Sequence, residues 1–529
     1  MNRPATLAVL LLVFSGAAEA ADLLGVFEDA VHNDPVIRQA DANRLAARES
    51  KPQAISALLP QLNATAGITA DHNAGTEVTF LSGPHNTLQA VTFPQETNTT
   101  TRQWALNLRQ SIFSWSNWMT LKEANAQVAQ AEATYQAAEQ QLILRVAQAY
   151  FAVLTADDTL QADQAALEAI SRQLDQANKR FEVGLIAITD VEDAKAARDS
   201  AAAQVIADKR TLATTEDQLQ EITGQKYDRL AKPGSDMPLL NPEPADESSW
   251  VNISLEQNPT LISSRLAADI ARDNVHVAFG GHLPTVDVVA GRSYQSQAVD
   301  GVFPPAPPFV PSSEPFNYNT YFNDRQIGLQ VTVPIFSGGL TQSKVRQAQY
   351  QWIAAKEGVV QSSRATERQA RDAYLGVISG IAQVQALRQA VESNQTALTA
   401  TEAGYEVGTR TSVDLLNARR NLVQAQTNYA VARNNYIVSV LQLRLAAGTL
   451  DRPELTQVNA WLTTSEATSP AVPTPETLAP TVPPAESTPP PPITPAPRTR
   501  PRATVPPATP TPPPAAPPPA TQPPPGGGP

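Results

Sequence analysis

The side chains that most often catalyse reactions or bind metals form no recognisable site in this sequence. Cysteine is absent, and the histidines show none of the spacings that zinc ligands adopt. The phosphate-binding glycine loop, the Gly-x-Ser-x-Gly motif and the Rossmann fingerprint are also absent. We therefore predict no catalytic residue, no metal and no cofactor, so that any energy must come from a partner protein. The histidines are His32, His72, His85, His276 and His282.

Ion-pairing and helix-capping side chains instead lie close to two glycine-containing turns. Their sequences are Phe181-Glu-Val-Gly-Leu-Ile-Ala-Ile-Thr-Asp-Val191 and Tyr405-Glu-Val-Gly-Thr-Arg-Thr-Ser-Val-Asp-Leu415. Gly184 and Gly408 are typical of the left-handed residue that ends a long helix. Apolar residues exposed on such a turn would suit docking by a helix hairpin of a partner.

The helices predicted to follow these turns carry capping and acidic residues near their starts. The spacing Thr189-x-x-Glu192 predicts a capping box, and Asp190 lies in the same first turn. Asp414 is placed similarly after Ser412. Capping alone could explain both aspartates, and a functional role of the same residues is the alternative.

These turns belong to a unit that the chain contains twice. Most matching positions lie about 224 residues apart, and matches this regular predict a tandem duplication. At one match between these points, Ile112 with Ile335, the interval is one residue shorter. Other matched pairs are Pro35 with Pro259, Gly184 with Gly408, and Gly224 with Gly448. The predicted repeats span 21–224 and 259–448, with an equatorial linker region at 225–258 and an equatorial end at 449–462.

Each copy contains two segments in which apolar and polar residues alternate. Alternation over about ten residues is typical of transmembrane β-strands, and aromatic residues at their ends suit the membrane–water boundary. A soluble antiparallel sheet with one hydrated face is the alternative. The predicted strands are about 61–72, 102–113, 284–296 and 325–336, with long loops at 73–101 and 297–325. The boundary aromatics are Phe113, Trp115, Trp118 and Phe336.

Long segments without proline follow the strands. No proline lies between Pro94 and Pro233 or between Pro334 and Pro453. Alanine-rich apolar patterns there predict long helices, the first of them about 95 Å long at 1.5 Å per residue. Such a length does not fit inside a compact domain. The predicted helices are about 117–180, 190–222, 341–404 and 414–446.

Both ends of the chain differ in composition from the middle. A positive start, an apolar run from Leu7 to Phe14 and small residues before Ala21 predict a secretory signal peptide at 1–20. Of the 46 prolines, 26 lie from Pro470 onward, which predicts a disordered proline-rich tail at 463–529. The net charge of −12 argues against a nucleic-acid partner.

Four strands are too few to close a barrel in a membrane, because the smallest single-chain outer-membrane barrels have eight. Open strand edges are not tolerated in lipid, so the chain must share its sheet with other copies. Two copies would supply eight strands and three would supply twelve. A tube that crosses the membrane and continues along such helices would conduct material across the envelope.

The segment 21–462 resembles the TolC family of trimeric outer-membrane channels, most specifically in the two glycine-containing turns. The resemblance implies an α+β membrane protein. Its homotrimer would form a twelve-stranded transmembrane β-barrel, with four strands per chain, continued by a long periplasmic α-helical barrel. It implies a location in outer-membrane lipid of a Gram-negative bacterium. The implied function is a passive exit duct for tripartite drug efflux or type I protein secretion, with a periplasmic adaptor and an inner-membrane transporter as partners.

The same resemblance implies roles for individual residues. A polar network that holds the periplasmic gate closed matches Thr189, Asp190, Tyr405, Arg410 and Arg433. A pore constriction ring matches Asp414, with Asn417 at a position where the family commonly has a second aspartate; we therefore expect weaker block by multivalent cations. The adaptor-docking tips match Val183, Gly184, Leu185, Val407, Gly408 and Thr409.

The alternative from another functional class is a structural or adhesive coiled-coil protein of the envelope. Such a protein would need the long helices but not two strand pairs repeated at one interval. An enzyme has no support in the sequence.

Overall fold

The computed structural model describes residues 20–82, 87–234, 237–303 and 314–467. Most of the predicted signal peptide, His85 and most of the predicted tail lie outside these ranges. The helices are α1 (Leu23–Asn33), α2 (Pro35–Arg48), α3 (Ser50–Ser56), α4 (Trp115–Glu182), α5 (Ile188–Thr223), α6 (Glu247–Gln257), α7 (Pro259–Phe279), α8 (Leu340–Glu406), α9 (Ser412–Ala447) and α10 (Arg452–Asn459). The strands are β1 (Gln61–Ser82), β2 (Leu88–Phe113), β3 (Ala231–Pro233), β4 (Thr285–Phe303), β5 (Glu314–Thr332) and β6 (Leu462–Ala467).

The two copies of the repeat correspond element by element. Helices α1 and α6 have 11 residues each, α4 and α8 have 68 and 67, and α5 and α9 have 36 each. Leu23 and Glu247, which begin α1 and α6, are separated by the same interval as Pro35 and Pro259. The second copy therefore begins inside the segment 225–258 that the sequence predicted to be a linker. The sequence did not reveal this start because α1 and α6 share few residues, whereas the prolines after them match clearly.

The two copies also use the same signals at their helix ends. Asp34 and Asn258 are N-caps, and each side chain accepts hydrogen bonds from the backbone N–H groups two and three residues later. Proline follows each cap at the first helical position, where a missing N–H costs no helical bond. Gly224 and Gly448 end α5 and α9 in the left-handed region, with φ of 74° and 76°.

Each of the four long strands extends well beyond its predicted bounds at the end that faces its hairpin loop. Strand β1 continues to Ser82, β2 begins at Leu88, β4 continues to Phe303 and β5 begins at Glu314. Most of the predicted loops at 73–101 and 297–325 is therefore paired strand, and those two predictions were wrong. Threonine, asparagine and glutamine are frequent there, so the alternation of apolar residues fades while backbone pairing continues.

The long strands form one antiparallel sheet in the order β1-β2-β4-β5. The β2–β4 pairing joins the first copy of the repeat to the second, and Trp104 stacks on Tyr294 across it at 6.5 Å. Strands β1 and β5 form the two edges, and neither has a second partner strand within the described ranges. Unpaired edges expose rows of N–H and C=O groups that can pair with another chain.

Strand β5 ends earlier than the predicted limit of residue 336. Pro334 cannot donate a hydrogen bond to a neighbouring strand, and the chain leaves the sheet after Thr332. Gly338 and Gly339 then turn the chain into α8 with φ of 63° and 83°. Phe336, which matches Phe113 of the first copy, lies in the segment between β5 and this turn and is almost fully exposed.

The long helices pair into two antiparallel hairpins, α4 with α5 and α8 with α9. The hairpins meet where α4 packs against α9, and α7 lies between α4 and α8 nearer the sheet. Helix α4 would be about 100 Å long if straight. In the described part of the chain, no helix has both the length and the apolar character needed to cross a membrane.

The main hydrophobic core lies where the middle of α4 meets α9, α1 and α10. Tyr150 is fully buried there; its hydroxyl donates to the Ala231 carbonyl at 2.7 Å, and burial raises its pKa. Strand β6 pairs with β3 beside this core. Residues 463–467, predicted to belong to the disordered tail, are therefore ordered, because β3 offers them a partner that the sequence does not reveal.

Candidate functional site

The two turns that join the long helices have nearly the same backbone path. Gly184 follows α4 with φ of 75°, and Gly408 follows α8 with φ of 80°. The N–H of Leu185 donates to the carbonyl of Arg180 at 2.9 Å, and the N–H of Thr409 donates to that of Gly404 at 2.8 Å. Both glycines thus terminate their helices in the expected left-handed conformation, at which a side chain would be strained.

Apolar side chains at these turns are exposed to solvent. Val183 is 70% exposed, Leu185 is 73% exposed and Val407 is 76% exposed. Ile186, in contrast, packs on a small cluster of Ala177, Val191 and Ala194. The first turn therefore has a packed apolar base, and both turns present apolar side chains to solvent.

A capping box is present at the second turn only. The Asp414 carboxylate accepts from the Thr411 N–H at 3.0 Å, and the Thr411 hydroxyl accepts from the Asp414 N–H at 3.1 Å. The hydrogen bonds to Thr411, with a smaller contribution from Arg410, hold the pKa of Asp414 below its ordinary value. The Asp414 carboxylate is thus charged at neutral pH and fixed at the start of α9.

The capping box predicted at Thr189 and Glu192 does not form. Helix α5 begins at Ile188, its N-cap is Ala187, and no side chain caps it. Thr189 therefore lies within the first turn, where its hydroxyl cannot act as the N-cap. The first copy has alanine where the second has Thr411, and this leaves the Asp190 carboxylate available for another partner.

Two contacts join the hairpins close to the turns. The hydroxyl of Ser412, at the start of α9, donates to the Asp190 carboxylate of α5 at 3.2 Å. The Arg180 guanidinium of α4 lies over the Tyr405 ring of α8, 5.0 Å from its centre. Asp190 and Tyr405, both predicted gate residues, therefore bridge the two halves of the chain.

Arg410 lies at the second turn and forms no ion pair within the described ranges. Its aliphatic chain packs so closely over Gly404 that a Cβ there would lie 2.8 Å from Arg410 Cγ. This packing places the guanidinium near Asp414, whose pKa it helps to lower. Asn417 lies on the exposed side of α9, one turn after Asp414.

Arg433 is not part of this group of residues. It lies well inside α9, about 30 Å from the helix start at 1.5 Å per residue. Its guanidinium binds the Asp158 carboxylate at 3.3 Å, and Lys232 binds the same carboxylate at 3.0 Å. The sequence-based placement of Arg433 in the gate network was therefore wrong for this chain, since its partners stabilise the core region.

One ion pair at the second hairpin was missed by the sequence analysis. Glu402 of α8 and Arg419 of α9 lie 3.0 Å apart, and two further nitrogens of Arg419 are buried without a hydrogen-bond partner. Both residues lie within about two helical turns of the connection between the helices. An antiparallel pairing of α8 with α9 about that connection could have revealed them.

The predicted boundary aromatics have different environments. Phe113, Trp118 and Phe336 are exposed, as a position facing lipid requires. Trp115 instead packs beside Gly280, where a Cβ would lie 3.1 Å from the Trp115 ring, and its indole nitrogen is buried. Trp115 therefore joins α4 to the end of α7, and its place at the membrane boundary stays a prediction.

The sequence profile named "Outer membrane efflux protein" matches residues 26–225 and 250–449. The chain belongs to this family. The second match begins inside α6, in agreement with the start of the second copy in the structure.

Known proteins of this kind align with most of the chain. It is 36% identical over 464 residues to the outer membrane protein TolC of Vibrio cholerae. This alignment covers 87% of this chain and 98% of the relative. It is 26% identical to the alkaline protease secretion protein AprF of Pseudomonas aeruginosa, over 85% of this chain and 89% of that protein. The Campylobacter jejuni outer membrane channel CmeC has the same fold, with a TM-score of 0.63 and 18% identity over 88% of this chain and 98% of the other. The predicted family, fold class and outer-membrane location are thereby confirmed.

Proposed function

We propose that three copies of this chain form a passive exit duct through the outer membrane, for drug efflux, for type I protein secretion or for both. Membership in the outer membrane efflux protein family carries the proposal. One relative is named as a protease secretion protein, and the family itself is named for efflux. Both activities are therefore included in the proposal. The duct would conduct what an inner-membrane transporter delivers to it.

The open sheet supports assembly into a trimer. Both edge strands lack a second partner within the described part of the chain, and such edges are not stable in lipid. Three four-stranded sheets paired edge to edge would give a closed barrel of twelve strands. A barrel of this size is wide enough to hold a lumen, unlike one of eight strands.

The exposed turns support docking of a periplasmic adaptor. Val183, Leu185 and Val407, together with Gly184, Gly408 and Thr409 beside them, would form the tips that the adaptor contacts. The contacts between the hairpins support a gate at the same end of the helices. In this gate Asp190, Tyr405 and Arg410 would hold the hairpins together, with Thr189 beside Asp190, and Asp414 and Asn417 would line the constriction.

Deletion of the gene and complementation with defined variants test these roles. We expect the deletion strain to become sensitive to drugs, to lose secreted proteins or both, and the purified protein to form trimers that conduct ions in a planar bilayer. The double variant Leu185→Asp with Val407→Asp should conduct normally but fail to complement, because only docking is lost. Leu240→Asp, which changes an exposed apolar residue away from the turns, is the control. A purified protein that forms no conducting oligomer would contradict the proposal.

A further inference from the structure

Two carboxyl groups face each other where α4 packs against α5. Asp163 lies on α4 and Asp208 on α5, and their side chains are close enough to share a hydrogen bond. Asp208 is only 7% exposed, and its Oδ1 accepts a hydrogen bond from the Gln204 side chain at 3.0 Å. Its Oδ2 is buried and accepts a hydrogen bond from no described residue while both carboxyls are ionised. Because ionised carboxylates only accept hydrogen bonds, this oxygen needs a donor that the ionised pair lacks.

The second copy of the repeat has apolar residues at the same two positions. The counterparts of Asp163 and Asp208, at the full repeat interval, are Leu387 and Ala432. Ala432 is buried in the main core, and Leu387 packs against that core. A carboxylate buried without a partner of opposite charge costs free energy that an apolar side chain does not. Packing of the hairpin therefore does not account for the two aspartates.

No positive charge compensates the pair within the described ranges, because neither aspartate forms an ion pair there. On α9, residues 423–431 pass this part of α4 and carry no charge. Strand β3 supplies Lys232, which is bound to other carboxylates of α4. The charged residues within two helical turns of the pair, on α4 and α5, are Asp157 and Asp158, which bind Lys232, and Glu168, Lys209 and Arg210, which are exposed.

Solvent can reach the pair from one side. Asp208 lines a cavity of about 500 Å³ between α4, α5 and α9, together with Thr155, Thr159 and Asn434. All other side chains that line this cavity are uncharged. The cavity therefore supplies a route for a proton but no cation that would hold both carboxyls in the ionised form.

We propose that Asp163 and Asp208 form a proton-binding site that joins α4 to α5 in acid and weakens their packing when the proton is lost. The proton comes from solvent, is bound by the Asp163 carboxyl and is donated in a hydrogen bond to Asp208 Oδ2. Loss of the proton leaves two negative charges facing each other, which repel. The site lies within the first hairpin of one chain, so it does not depend on the proposed trimer.

The direction of the pH dependence follows from the surroundings of Asp163. Burial, with Asp208 beside it, raises the pKa of Asp163 to about 6. A raised pKa means that the packed hairpin binds the proton more tightly than the opened one does. The packing is therefore strongest below the ordinary aspartate pKa and weakens as the pH rises through about 6. Asp414 has the opposite dependence, because its pKa is lowered.

Hydrogen–deuterium exchange of the full chain in detergent measures this packing. Exchange is compared at pH 5 and pH 7 after correction for the intrinsic effect of pH on amide exchange. The opening equilibrium of α5 around residues 201–215 should be about tenfold smaller at pH 5 than at pH 7. Residues 425–439 of α9, the counterparts in the second copy, are the internal reference and should show no comparable change.

Variants of the pair separate the proton from the packing. Asp163→Asn supplies an amide that donates to Asp208 and does not titrate, so the protection of α5 should be the same at both pH values. The double variant Asp163→Leu with Asp208→Ala reproduces the second copy and should also lose the dependence, even if the asparagine variant does not fold. Asp175→Asn removes an exposed carboxylate from the same helix, and it should retain the dependence of the wild type.

The results that would overturn the inference are defined. They are a wild-type α5 whose opening is equal at pH 5 and pH 7, or a variant without the pair that keeps the wild-type dependence. The proposed function is tested separately by trimer formation and conductance. A protein that shows the expected pH dependence but forms no conducting oligomer would contradict the duct and leave the proton site in place.

Discussion

Loss of the Ser412–Asp190 hydrogen bond should favour the open state of the proposed gate. The bond joins the starts of α9 and α5 at 3.2 Å, and Ser412 is buried. Hydrogen bonds to charged groups contribute about 1.5–3 kcal/mol, and we take about 1 kcal/mol for one of this length at a partly exposed site. Such a loss changes an equilibrium about fivefold. If three chains open together, the combined effect would be on the order of 100-fold.

The Arg180–Tyr405 contact should add to this effect. A cation over an aromatic ring at an exposed site contributes about 0.5–1 kcal/mol, and this one joins α4 to α8. Tyr405→Ala should therefore raise the open population by a smaller factor than Asp190→Ala. Tyr405→Phe retains the ring and should behave like the wild type.

Single-channel recording in a planar bilayer measures the open population. Asp190→Ala and Ser412→Ala should each increase the open fraction, and the double variant should show no further increase, because both remove the same bond. Asp193→Ala, which removes an exposed carboxylate one turn further along α5, is the matched control. Unchanged open fractions in Asp190→Ala and Ser412→Ala would refute the role of this bond in closure.

Four further changes have defined expectations. Gly448→Ala should lower the free energy of unfolding by about 1–3 kcal/mol or more in thermal denaturation, because φ is 76° and a Cβ would lie 2.5 Å from the Gln257 carbonyl oxygen; Gly224→Ala, with 3.4 Å to the nearest side chain, should lose less. Ala187→Ser should supply the missing N-cap of α5 and stabilise the protein by about 1 kcal/mol in the same assay. The cap made by Asp414 should stabilise the protein at pH values above the ordinary aspartate pKa. This stability should be lost as the pH falls through the lowered pKa of Asp414. The thermal midpoint of Asp414→Asn should therefore fall less than that of the wild type when the pH is lowered. Asn417→Asp should bind multivalent cations more tightly than the wild type in conductance-block measurements, and equal block would place residue 417 away from the constriction.

The sequence predicted the long helices closely, because their signals are local. The helices lack proline, are rich in alanine and are followed by glycine. These signals predicted the bounds of α4, α5, α8 and α9 to within two residues of those observed. The repeat interval also followed from the sequence, since it compares the chain with itself. The left-handed conformations of Gly184 and Gly408 are consequences of the same end signals.

The strand ends were not predictable from alternation, because pairing does not require it. Beyond about residue 72, β1 pairs with β2 through backbone groups that every residue type except proline supplies. Strand β6 is a similar case, since only the position of β3 beside the core makes residues 462–467 a strand.

At the candidate site, the sequence identified the segment and the tertiary structure chose the partners. Thr189 and Thr411 both have side chains suited to capping, but the register of the helix start gives the role to Thr411 alone. Family resemblance groups Arg433 with Arg410, yet its distance along α9 places it against Asp158. The sequence by itself determined the repeat, the long helices and the turns, because these depend on local backbone preferences. Only the packing of one hairpin on the other decided which charged and polar groups meet, because those contacts join residues that are distant in the chain.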